Sequence, residues 1–191
     1  TRNTVVGALC GDALTTGLRN TAMGYGALGA EDVGDMSVAI GYEALLAANS
    51  DSAGQDVWNT AVGANAGSVL TSGIKNTLIG GQAGGSGDIT GDNNVAVGFQ
   101  AGYGLTSGAS NTAIGYRALT TLSSTSNTTA VGYKALSVAT GIENTAVGFQ
   151  AGDAINTGAD NTALGYDALS AVSSNNSNTA IGASAMNRNT G

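Results

Sequence analysis

Residues 144–152 read Asn144-Thr145-Ala146-Val147-Gly148-Phe149-Gln150-Ala151-Gly152, and variants of this stretch recur along the whole chain. The kernel is Asn-Thr-Ala-x-Gly, with x a branched or long apolar residue. Its closing glycines are Gly7, Gly24, Gly41, Gly63, Gly80, Gly98, Gly115, Gly132, Gly148, Gly165 and Gly182. Their spacings are 17, 17, 22, 17, 18, 17, 17, 16, 17 and 17 residues. Eleven copies therefore occupy nearly all 191 residues, and residues 1–191 read as one repeat domain with no room for another.

Reading each slot down the copies converts the repeat into structure. The slot before the glycine holds Val6, Met23, Ile40, Val62, Ile79, Val97, Ile114, Val131, Val147, Leu164 and Ile181, which reads as a core column. Two residues earlier Thr and Val exchange freely, as at Thr21 and Val38, so a β-branched shape is what the slot keeps. Between them lies Ala, with Val5 and Leu78 as exceptions. Alternation over a β-branched segment predicts a short strand. After the glycine comes an aromatic slot holding Tyr25, Tyr42, Phe99, Tyr116, Tyr133, Phe149 and Tyr166. Next is a variable slot (Glu43, Arg117, Lys134, Asp167) that reads as solvent-facing, then Ala or Cys10, then Gly or a large apolar residue. An apolar residue often returns seven positions after the glycine, as Leu70, Leu105 or Ile155, before a Gly-containing turn. Each unit thus reads as strand, bend, second short strand and turn.

A unit of 17 residues cannot bury a core alone, so the units must stack as the coils of a solenoid. Identical slots then form ladders along a rod of roughly 50 Å, at ~4.8 Å per coil. Two slots stay small and apolar throughout, which implies close packing of that face against something. The expected assembly is an oligomer with three chains about the rod axis. The alanines of the strand slot, Ala22, Ala39, Ala61, Ala96, Ala113, Ala130, Ala146, Ala163 and Ala180, are the residues expected to pack the trimer.

Composition narrows the function. The chain has 31 glycines, no proline, no histidine and one cysteine. A His-based triad, a His-ligated metal, an intrachain disulfide and a Cys-cluster metal site are all excluded. No cofactor is expected. Six basic against 13 acidic residues give a net charge of −7, which argues against nucleic acid as a partner. No apolar run reaches the ~18 residues of a membrane helix, so no membrane insertion of this segment is expected. The start carries neither an initiator Met nor a signal-like segment, and a piece of a longer protein is expected.

Ser37-Val38-Ala39-Ile40-Gly41 resembles the N-S-V-A-I-G head repeat of trimeric autotransporter adhesins. Copies such as 144–152 resemble the N-T-A-apolar-G-Y-x-A-L repeats of trimeric fibres of bacteriophage type. The resemblance spans the chain. It implies an all-β, left-handed parallel β-roll (β-solenoid) of about eleven coils, a homotrimer, and an extracellular place on a bacterial cell surface or virion fibre. It also implies a role in adhesion or host recognition, with a cell-surface glycan or protein as ligand. Carried over, Val38 and Ile40 would be core and Ala39 would face the trimer axis. The chain departs from the adhesin head in its longer period and in Thr replacing Val, so the adhesins' binding properties do not transfer.

Several features lie outside the repeat. The one long spacing places Asp51, Gln55, Asp56 and Trp58 in an inserted loop, Leu46 to Trp58. These are the candidate ligand contacts, with Trp58 either stacking on a sugar or partner or folding back onto the rod. Glu31, Asp32 and Asp35 form the densest acidic cluster. It reads as a solvated turn, the alternative being the paired carboxylates of a polysaccharide-processing enzyme. Gly84-Gly85-Ser86-Gly87-Asp88 resembles half of a calcium-binding nonapeptide turn and reads as a plain turn. Cys10 reads as a small buried substitute for Ala. The Thr column raises an ice-binding solenoid as a further alternative. The leading expectation is non-enzymatic: a structural and adhesive fibre module.

Overall fold

The computed structural model describes residues 2–50, 54–121, 124–171 and 173–187. It is a β-solenoid. Eleven three-residue strands follow one another: β1 (Thr4–Val6), β2 (Thr21–Met23), β3 (Val38–Ile40), β4 (Thr60–Val62), β5 (Thr77–Ile79), β6 (Val95–Val97), β7 (Thr112–Ile114), β8 (Thr129–Val131), β9 (Thr145–Val147), β10 (Thr162–Leu164) and β11 (Thr179–Ile181). They form a single parallel sheet in chain order. The pairing is in register throughout: Thr112 faces Thr129, Ala113 faces Ala130 and Ile114 faces Val131. No helix forms among the described residues.

The rest of each coil contains turns rather than the expected second strand. Past the strand the coils stay joined by single backbone bonds, such as Gly102 N–H to Ala118 C=O at 2.9 Å. The slot four residues after the closing glycine takes a left-handed φ, 54° at Leu28 and 50° at Leu119, which breaks any extended run. Isolated bridges such as Leu70 with Ile89 are what remains of that strand.

The phase of the strand is the reverse of the one expected. The middle alanines, from Ala22 to Ala163, are fully buried within the single chain, and Ala180 is nearly so. The flanking apolar column points outward, with Met23, Ile114 and Leu164 around 40% exposed or more. Period two fixes only that neighbours point oppositely; it does not say which set is inside. The coil's interior is too narrow for branched residues at every rung. Alanines therefore fill the inside, and Val38 and Ile40 lie on the outer side with Ala39 between them buried.

A second alanine column, Ala27 to Ala168, is also fully buried. The remaining volume takes one or two larger residues per coil, from different walls. Leu45, Leu119 and Leu136 fill it from the fourth slot after the glycine. Where that slot is glycine, Leu70, Leu105 and Ile155 fill it from the seventh. A Cβ on Gly102 would lie 2.7 Å from Leu105 Cδ1, so the two slots occupy one space. The strand exceptions obey the same rule. Val5 and Leu78 both sit in coils with glycine in the fourth slot, and a Cβ on Gly84 would stand 3.2 Å from both Leu78 methyls.

The closing glycines are fixed by sterics. At Gly115, φ is +127°, and an added Cβ would lie 2.5 Å from the carbonyl oxygen of Gly132 on the next coil. Each coil seats backbone against backbone at this corner, which only glycine permits.

Beside the strand runs a buried asparagine ladder: Asn20, Asn59, Asn76, Asn94, Asn111, Asn144 and Asn161. The Oδ1 of Asn94 accepts from the backbone N–H of Asn111 at 3.0 Å, and its Nδ2 donates to Gly108 C=O at 2.9 Å. One amide thus satisfies the two sides of a buried corner, as buried polar backbone requires. Ser37 and Thr128 interrupt the ladder, and Ser37 Oγ is buried without a partner.

Candidate functional site

The outward side of the sheet is the largest regular surface. Its strands present two columns, Thr (or Val38 and Val95) and the branched apolar residue, on every coil. Around the corner set by the glycine stands the aromatic column. Phe99, Tyr116, Tyr133, Phe149 and Tyr166 form a continuous stack with centroid separations of 5.8, 5.3, 4.9 and 5.3 Å. Tyr25 and Tyr42 form a second stack at 5.5 Å, separated from the first by Ala64 and Gly81. These rings do not enter the core: Tyr166 is 54% exposed. They cover each other's faces and turn their edges to solvent, an arrangement that contributes about 0.5–1.5 kcal/mol per pair beyond burial. Sheet face and ring edges together make an apolar strip along the rod, more extensive than a monomer's isolated surface hydrophobics.

The alanines expected to face a trimer axis are inside the roll. Ala22, Ala39, Ala61, Ala96, Ala113, Ala130, Ala146 and Ala163 have no exposed surface and Ala180 has 2%, so no second chain can reach them. The surface their neighbours present is the one left for a partner.

Of the candidate ligand contacts, Asp51 lies outside the described residues. Gln55 is half-buried and its C=O accepts from Asp35 N–H at 2.9 Å, while Asp56 is exposed and bridges to Asp35. Trp58 is 52% exposed, but it is not part of the insertion. It occupies a repeat slot, the left-handed residue before the ladder asparagine, with φ of 57° against 60° at Lys75 and 64° at Met36. With half its surface exposed, the Trp stands on the rod as a repeat residue rather than on the inserted loop.

The acidic cluster is not a solvated turn. Glu31 is fully buried and Asp35 is 4% exposed. Glu31 Oε1 accepts from Gly34 N–H at 2.8 Å, Ser50 N–H at 3.1 Å and Ser50 Oγ–H at 2.7 Å, tying two coils together. Asp35 Oδ1 accepts from Leu18 N–H at 2.7 Å, and its Oδ2 lies 3.9 Å from Arg19. Glu31 Oε1 and Asp35 Oδ1 each hold turns, while Glu31 Oε2 is buried with no hydrogen-bond partner among the described residues. Asp88 accepts from the Thr71 hydroxyl and Asp92 from Ile74 N–H. No cluster of three metal-ligating side chains occurs among the described residues. Cys10 is a buried free thiol in the inner alanine column, and burial raises its pKa.

Sequence reasoning missed the asparagine ladder as a structural element, although Asn heads most copies of the kernel. It read the variable slot as solvent-facing and did not single out Arg117 and Lys134, which fall there on consecutive coils. No helix of the described residues is long and apolar enough to cross a membrane. No protein-family model, curated protein or solved structure matches the chain.

Proposed function

We propose that this chain is a rod segment of a left-handed, homotrimeric surface or virion fibre, non-enzymatic and extracellular, serving attachment. The observation that carries the reading is the outward apolar face, repeated on every coil and flanked by the aromatic column. A rod of ~50 Å with a strip ~15–20 Å wide offers roughly 750–1,000 Å² per chain, the size class of a stable protein interface. Sheet face and ring edge adjoin at one corner, so one chain can present its sheet face to one neighbour and its ring edge to the other. Head-to-tail contacts of this kind close into a ring. The resemblance to trimeric adhesin heads and phage-type fibres supports three as the number. Threefold repetition then multiplies weak recognition by any surface site.

The test is mass in solution. Sedimentation equilibrium is expected to give about 55 kDa, three times the 18.5 kDa chain. The double variant Ile114→Asp with Val131→Asp is expected to run as a monomer while keeping its β-type circular dichroism. A wild-type chain monomeric at 100 μM would refute the reading.

One observation favours a second reading. The Thr column lies on the outer side of the sheet in register, so it forms a matched hydroxyl row beside the apolar column. An ice-binding face needs such a row, and thermal hysteresis of the chain in dilute solution would identify it.

A further inference from the structure

Arg117 and Lys134 occupy the same variable slot on consecutive coils, beside Tyr116 and Tyr133 of the aromatic stack. The guanidinium carbon of Arg117 lies 5.7 Å from the Tyr116 ring centroid, and Lys134 Nζ lies 5.5 Å from that of Tyr133. Arg117 Nε also donates to Gln100 Oε1 at 2.8 Å, a charge-assisted bond, and Gln100 Nε2 in turn donates to Gln82 Oε1 at 2.8 Å. Ring contact positions both cations, and the hydrogen bond to Gln100 adds to it for Arg117. Among the described residues neither forms an ion pair. Two like charges thus stand one rung apart on a chain of net charge −7 with only six basic residues, and the carboxylate that Lys134 acts on, Asp153, forms no ion pair with it.

They line a cleft of ≈ 460 Å³ with Gln100, Tyr103, Thr120, Ser137 and Val138. The lining also holds the Gln100 amide, bonded to Arg117, and the hydroxyls of Thr120 and Ser137, with Tyr103 and Val138 as its apolar members. The equivalent cleft near the other end of the rod carries Leu9, Gly26 and Glu43 in the slots of Gln100, Arg117 and Lys134, and Asp12 in that of Tyr103, so the positive character belongs to this position rather than to the repeat.

We propose that this cleft is a binding site for an anionic saccharide, with the acid group on Arg117 and Lys134. Sugar hydroxyls then meet Gln100, Thr120 and Ser137, and the ring's C–H face meets Tyr103 and Val138. Paired cations fix the acid, hydroxyls and amide match a polyol, and the small volume suits one or two sugar rings. The inference deepens the attachment reading by naming a ligand class, and for that role it rests on it; the site itself lies within one chain.

Titration calorimetry tests it with a chondroitin sulfate tetrasaccharide, its desulfated form, and a desulfated, carboxyl-reduced neutral form. Sedimentation of the same samples reports oligomeric state separately. The sulfated tetrasaccharide is expected to bind at least tenfold more tightly than the neutral one. The desulfated form shows which acid group is read: retained binding assigns the carboxylate, lost binding the sulfate. Arg117→Gln and Lys134→Gln are each expected to weaken binding about three- to tenfold. Both variants keep the fold, because Gln82, Gln100 and Gln150 already occupy this slot with φ of 56°, 55° and 51°. Lys75→Gln, a cation elsewhere on the rod, is expected to leave affinity unchanged. Equal binding of the neutral tetrasaccharide, no binding of any of them, equal weakening by Lys75→Gln, or equal binding of inorganic sulfate would each overturn the proposal. A failure here with the trimer intact sinks the cleft alone.

Discussion

Replacing Gly115 by Ala separates two costs that the closing glycines combine. The first is backbone strain. At φ of +127° an L-residue occupies a sparsely populated region, at about 1–3 kcal/mol. The second is contact between coils. The new Cβ would stand 2.5 Å from Gly132 O and 2.8 Å from Gly132 C, where ordinary contact begins at 3.4 Å. Backbone cannot swing aside as a side chain can, so the two coils must part by about an ångström. That movement strains the Gly132 N–H bond to Ile114 C=O and the Lys134 N–H bond to Tyr116 C=O, at 2.7 and 2.9 Å. Weakening both adds about 2–4 kcal/mol. Gly182→Ala and Gly54→Ala are the controls, since their φ values are +122° and +76° but nothing lies within 4 Å of either added Cβ. Urea unfolding followed by far-ultraviolet circular dichroism is expected to place Gly115→Ala about 2–4 kcal/mol below both controls at equal m-value. Destabilisation of all three within about 1 kcal/mol of one another would refute seating of coil on coil as the reason for glycine.

Two further outcomes follow from the polar groups. Asn94→Ala removes the acceptor for Asn111 N–H and the donor to Gly108 C=O, both buried, and is expected to cost about 2–4 kcal/mol in the same unfolding assay. An effect under about 0.5 kcal/mol would show that the ladder does not carry that corner. Asp153 has its pKa raised from 3.8, chiefly by burial, with Asp167 adding to the rise and Gln150 and Lys134 opposing it. A carboxyl whose folded pKa is raised binds protons more readily folded than unfolded. Its ionisation therefore costs stability above the folded value, and that cost fades as pH falls towards 3.8. Asp153→Asn is expected to melt higher than wild type at pH 7, with the gap closing on acidification. A gap unchanged between pH 7 and pH 4 would contradict this.

The sequence determines far more of the axial order than of the radial order. Copy number, coil boundaries and register follow from the spacing of Gly7 to Gly182, because in-register stacking requires like slots to coincide. What points in and what points out does not follow. Ala39 and Ile40 alternate under either phase, and the larger residue is the natural choice for a core. Here the opposing wall stands too close: a Cβ on Gly102 would already lie 3.2 Å from Ala96 Cβ. The narrow bore, not hydrophobicity, decides the phase. The burial of Glu31 was illegible for a related reason, since its partners Ser50 and Gly34 belong partly to the next coil and partly to its own turn. The cleft of Arg117 and Lys134 was half legible: consecutive cations in one slot are visible in the sequence, but that the residues three positions on line a groove with them is not.

The interchange of filling between walls bears on how such a rod changes length over evolutionary time. Because most coils are self-sufficient inside, a whole coil can be duplicated or deleted in one genetic event without mismatched volumes above or below. The exceptions are leucines that bridge two coils: Leu78 reaches the space of Gly67 as well as Gly84 in its own coil, and Leu45 and Leu136 reach the spaces of Gly67 and Gly152 on the coils that follow them. Duplication or loss should therefore be tolerated least where these leucines join two coils.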